Sequence, residues 1–177
     1  CTLSVWYLSP QRRVFDRTLR SFPLRLGFAQ GDQTLVVAGI GCNNGPEDTD
    51  SSVEDDLTFF DANSGELKRG FRLDSRLGKG PRAKSVGGGS PVVLGPFFGV
   101  WAISISPDGE RLAAGTLDGS VHLVEIAHPE PHQVLRGHRT GIAEVVFDTK
   151  GSRLATLDHS GEIKIWDVSR SEMPSLK

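Results

Sequence analysis

Two stretches of this 177-residue chain repeat one another at an offset of 42 residues without a gap. Residues 100–126 (VWAISISPDGERLAAGTLDGSVHLVEI) align with residues 142–168 (IAEVVFDTKGSRLATLDHSGEIKIWDV). Gly109 meets Gly151, Arg111 meets Arg153, Leu112-Ala113 meets Leu154-Ala155, and Gly119 meets Gly161. Elsewhere apolar faces apolar: Ile103 with Val145, Ile105 with Phe147, Val121 with Ile163, Leu123 with Ile165. A period of ~40–45 residues is the length of one four-stranded antiparallel unit.

Residue types inside the unit agree with strands. Ile103 and Ile105 alternate with serines, as a half-buried strand requires. Ser106-Pro107-Asp108-Gly109 supplies a turn, because Pro fixes φ and Gly admits positive φ. Residues 112–115 form the second strand, Asp118-Gly119 the next tight turn, 121–126 the third strand and 133–135 a short fourth. The 21 glycines and 10 prolines suit many such turns.

Gly137-His138, followed 28 residues later by Trp166-Asp167, resembles the Gly-His and Trp-Asp bookends of the WD-repeat family. The pattern returns, degraded, through the rest of the chain. Residues 3–7 (LSVWY) resemble a third strand with its Trp, and 14–19 a fourth. Residues 24–28 and 34–37 resemble first and second strands, 57–61 (LTFFD) a third with Phe60 replacing Trp, and 67–73 a fourth. The resemblance implies an all-β chain of β-propeller blades, each of four antiparallel strands. Residues 1–23 give the third and fourth strands of a first blade, 24–73 a second, 99–136 a third, and 137–177 a last one lacking a clear fourth strand. Three to four blades are fewer than the 4–8 typical of a closed ring, so a part of a larger ring, or a ring of several chains, is expected.

In that family a His, a Ser or Thr, an Asp and the Trp often form a hydrogen-bonded set bracing each blade. Carried over, the last blade offers His138, Thr156 and Trp166, with Ser160 at the Asp position and Asp158 two residues away. The preceding blade keeps Asp118 but has Pro96, Ala114 and Val124 at the other places, so no blade is expected to hold the full set.

Function is sought in the connections. Residues 42–56 (CNNGPEDTDSSVEDD) carry six acids and no base, and between Lys68 and Lys84 seven basic residues face one acid. The resemblance places the second-to-third and fourth-to-first connections of a blade on one face. Asp48, Asp50, Glu54, Asp55 and Asp56 in the acidic loop, and Arg76, Lys79, Arg82 and Lys84 in the basic Gly-rich segment 74–98, are therefore candidate partner-binding residues. The bland alternative is two solvated insertions whose charges contribute little when exposed. Trp101 is a candidate interface anchor, although its parity with Ile103 and Ile105 argues for the core.

Sharper chemistry finds little support. The acids fit no Ca²⁺-loop spacing. Gly78-Lys79-Gly80 and Gly87-Gly88-Gly89 lack the spacing that cradles phosphate. A net charge of −2 argues against nucleic acid. The five histidines suggest no metal site, and no nucleophile elbow is present. Cys1 and Cys42 make no disulfide framework, and Cys1 as a lipid-modified start is a minor alternative to a chain that begins inside a longer protein. No secretory signal or 18–20-residue apolar run is visible, so a cytoplasmic protein is expected. The reading is a non-catalytic scaffold or regulatory module that binds other proteins, or other domains of its own polypeptide, without a cofactor. The alternative is a propeller enzyme or ligand-binding ring with its site at the central channel.

Overall fold

The structure, a computed structural model, describes residues 2–8, 11–18, 21–41, 57–71, 73, 99–128 and 133–169. The acidic loop 42–56 and the basic segment 74–98, with every candidate partner-binding residue in them, lie outside the described residues.

Among the described residues the chain is strand and turn throughout, arranged as four antiparallel sheets in chain order. A hairpin of β1 (Thr2–Leu8) and β2 (Gln11–Thr18) comes first. A four-stranded blade follows: β3 (Ser21–Ala29), β4 (Thr34–Gly41), β5 (Leu57–Asp61) and β6 (Leu67–Phe71). The next blade contains β7 (Val100–Ile105), β8 (Arg111–Thr116), β9 (Val121–Glu125) and β10 (Gln133–Leu135). The last sheet has three strands: β11 (Ile142–Phe147), β12 (Arg153–Asp158) and β13 (Ile163–Asp167). Each strand pairs with its sequence neighbour, the meander that tight Gly turns produce.

Each sheet packs face to face on the next. Strand alternation sends Leu112 and Ala114 of β8 into a cluster with Val36, Ala38 and Phe59 of the second blade. Ala113, between them, points the other way and joins Val121 and Leu123 against Ile142, Val145 and Phe147 of the last blade. Leu35, Val37 and Phe60 meet Leu3 and Val5 of the hairpin. The sheets come close enough that a Cβ on Gly115 would collide with the Ile142 side chain. At Gly119, φ is +84° and a Cβ would sit 2.8 Å from the Thr140 carbonyl oxygen, so the turn and its neighbour both require glycine.

Polar stitches run across the same junctions. Gln30 N–H donates to the Gly109 carbonyl at 3.1 Å, and Phe147 N–H donates to Ser104 Oγ at 3.1 Å. Arg111 is the strongest stitch. Its buried guanidinium donates to the Val168 carbonyl at 2.6 Å and to the Gly151 carbonyl, and lies 5.5 Å over the Phe147 ring. A buried cation is costly unless well bonded, and here carbonyl dipoles and a ring face take the place of a carboxylate.

The first strand of each blade carries a register shift at one residue: Leu24, Trp101 and Ala143. A bulged residue is left out of the ladder and its side chain is re-aimed. Trp101 therefore falls outside the alternation of Ile103 and Ile105; like them it is half-buried, and it lies near the start of β7.

Leu112 is fully buried between two blades. Leu112→Ala is expected to cost about 2–5 kcal/mol of unfolding free energy. Leu67→Ala, on an exposed outer strand, is expected to stay within about 0.5 kcal/mol. Urea denaturation of the two variants checks the pair.

Candidate functional site: a buried brace and an aromatic rim

The last blade holds a polar set inside its apolar sheet. Thr156 on β12 is its centre. The Trp166 indole N–H donates to Thr156 Oγ1 at 2.8 Å, and His138 Nε2 lies 2.7 Å from the same oxygen. His138 Nδ1 faces Asp158 Oδ2 at 3.2 Å, out of line for a full hydrogen bond, so this contact is chiefly electrostatic. With Nδ1 protonated, the threonine hydroxyl donates to Nε2 while accepting the indole proton, and the chain of donors closes.

The carboxylate in this set is Asp158. The expectation that the position belonged to residue 160, and that no blade held all four groups, is corrected. Thr156 and Asp158 are two apart on one strand and so share a face. Ser160 is a donor instead: its N–H and hydroxyl reach Asp158 Oδ1 at 2.9 and 2.6 Å, joined by Glu162 N–H at 3.0 Å. The Ser160 hydroxyl foremost, then Glu162 N–H and the side chains of Thr140 and His138, hold the Asp158 carboxyl far below the ordinary carboxylate range, although burial opposes them.

Asp118 plays a smaller part than its place in the family pattern implied. Its Oδ1 accepts Ser120 N–H at 3.0 Å and the hydroxyls of Thr116 and Ser120, which ties one turn together within the third blade. Burial raises its pKa, but the Ser120 and Thr116 hydroxyls overcome this and the carboxyl titrates below its usual range.

His138, Asp158 and Glu162 together have the composition of a metal site, a grouping that spacing alone did not reveal. Glu162 Oε2 is 3.6 Å from His138 Nδ1, but its other oxygen is bound by Lys164 Nζ at 2.6 Å. Lysine already supplies positive charge at the open side, and the set reads as a brace.

One candidate partner-binding residue, Trp101, falls within the described residues. Its ring meets exposed His159 edge to face, with centroids 6.3 Å apart. The indole Nε1 is screened from solvent and has no hydrogen-bond partner among the described residues. Trp101 is the second residue of the first strand of one blade, and His159 lies in the second-to-third turn of the next. The contact therefore joins the start of β7 to the β12–β13 turn of the next blade.

Blades of antiparallel strands, stacked face to face with a brace centred on Thr156, define a β-propeller of the repeat type. Residues 91–124 and 129–167 match the family model "WD domain, G-beta repeat", so this part of the chain carries WD repeats. It is 36% identical over 90 residues to WD repeat-containing protein SL1-17 of Schistosoma mansoni, covering 50% of this chain and 29% of that protein. It is 33% identical over 67 residues to WD repeat and HMG-box DNA-binding protein 1 of Xenopus laevis, covering 38% of this chain and 6% of that one. The crystal structure of the RRP9 WD40 repeats superposes with a TM-score of 0.58 at 21% identity, over 86% of this chain and 37% of that one. The chain thus spans well under half the length of each of these three proteins.

Thr156→Val keeps the shape of the side chain but strands the indole N–H and the imidazole. A loss of about 1–3 kcal/mol is expected in chemical denaturation. Because the Asp158 pKa is depressed in the fold, its contribution is fully present above the unfolded carboxylate value of about 3.9 and is lost as pH falls below that. Asp158→Asn is therefore expected to flatten the fall of stability below about pH 4. Thermal melts of both proteins from pH 7 to pH 2.5 check this.

Proposed function

We infer that this chain is a non-catalytic interaction module whose partners are other proteins, or other domains of its own polypeptide. They are held at the rim where fourth-to-first and second-to-third connections meet. The Trp101–His159 contact carries this reading. Two adjacent blades jointly present an aromatic pair, one member exposed and the other with an indole N–H that has no acceptor among the described residues. A half-buried tryptophan is the kind of anchor on which protein interfaces concentrate their energy. The polar groups of the last blade are engaged in the brace, where their work is structural. The acidic loop 42–56 and the basic segment 74–98 are connections of the same two kinds, so on this reading they add charge selection around the aromatic anchor.

Affinity capture with quantitative mass spectrometry tests the reading, using the wild type, Trp101→Ala/His159→Ala, and a chain with 43–56 replaced by a short Gly-Ser link. Expected is a shared set of partners depleted at least tenfold by the double variant, at unchanged secondary structure by circular dichroism. Partner sets that stay the same in both variants would sink it.

A further inference from the structure

Segment 136–141 runs from the end of β10 to the start of β11 and is wedged between two turns. On one side, a Cβ on Gly119 would sit 2.8 Å from the Thr140 carbonyl oxygen and 3.0 Å from that of His138. On the other, Thr140 Oγ1 accepts Ser160 N–H at 3.2 Å, and the Gly141 carbonyl accepts His159 N–H at 2.9 Å. His138 is buried in the brace, and Arg139 between these contacts is exposed. Arg136 is exposed as well, one residue beyond the Leu135–Val121 pair that ends the β9–β10 ladder. Arg139 therefore stands beside the turn that carries His159, whose ring meets Trp101 edge to face.

These two arginines differ from most of the exposed cations. Arg13, Lys68, Arg153 and Lys164 each face a carboxylate: Asp16, Asp61, Asp148 and Glu162 in turn. Arg136 and Arg139 have no hydrogen bond or ion pair among the described residues. The acids of the flanking turns are already engaged. Asp118 Oδ1 accepts Ser120 N–H and the Thr116 and Ser120 hydroxyls, and Glu162 is bound by Lys164 Nζ at 2.6 Å.

We propose that this patch holds an acidic peptide segment of a partner protein. Its carboxylates lie on Arg136 and Arg139, and an apolar side chain lies against Trp101 and His159. This partner chemistry rests on the interaction reading above. A planar guanidinium takes a carboxylate through two parallel N–H···O bonds, so it selects geometry as well as charge. An exposed ion pair contributes little by itself. Here the neighbouring aromatic pair supplies apolar contact that excludes water from the charged groups. A short acidic segment suits the patch better than a long polyanion, which the chain's net charge of −2 would repel.

A phage-displayed library of random dodecapeptides, panned on the full chain, is expected to yield binders with Asp and Glu in excess over the unselected library. A synthetic binder, titrated by fluorescence anisotropy, is expected to lose about tenfold or more in affinity on Arg136→Glu/Arg139→Glu. Its binding should also weaken as salt is raised. Both side chains are exposed, so the variant is expected to keep its circular dichroism spectrum. Binders without an acid excess, or binding that survives the charge reversal, overturn the acidic assignment. If those same binders are lost on Trp101→Ala/His159→Ala, the interaction reading stands without it. Binding indifferent to both variants overturns the two together. Enrichment that occurs only after 43–56 is replaced by a Gly-Ser link gives the arginines to the chain's own acidic loop, and overturns the partner. A library that enriches on neither chain overturns it as well.

Discussion

A sheet with apolar side chains on both faces has no stable existence by itself. β8 is the clearest case: Leu112 and Ala114 point to one neighbour and Ala113 to the other, and all are buried. The strand is covered only because a sheet lies on either side of it. The other features follow from this mutual burial. Glycines stand where the sheets approach most closely, and the Arg111 guanidinium finds its acceptors on the neighbouring blade. Stability in such an arc is approximately a sum over units and the junctions between them, so each junction matters to its neighbours more than to the far end.

The fold was legible because the repeat carries its own alignment. A gapless offset of 42 residues brought turn on turn and apolar on apolar, and the strands observed between 100 and 167 fall where that alignment put them. The weaker copy before residue 74 was legible through its spacing, with Phe60 standing where the other blades have Val124 and Trp166. Boundaries were less so: β3 begins at Ser21, and β2 at Gln11, ahead of their most apolar residues.

What stayed hidden has physical causes. Arg111 reads as a polar residue at a strand start, and its burial depends on carbonyls 40 and 57 residues away. Asp158 lay two residues from the place the family pattern assigns, and only the shared strand face with Thr156 shows that it meets His138. Trp101 was read on an alternation that the ladder breaks at Trp101 itself. Periodicity reports local backbone geometry, and each of these three depends on contacts or irregularities that periodicity does not encode.

The repeated bulge has a consequence for how such a chain can change over time. At the same point in three blades the residue is Leu24, Trp101 or Ala143, a span from a methyl group to an indole. Because the bulged residue is out of register with the ladder, altering it does not shift the side chains that follow it into the core. Every blade therefore holds one position where chemistry can drift while the packing below is conserved. A rim assembled from such positions could acquire new specificity one blade at a time without reopening the problem of folding.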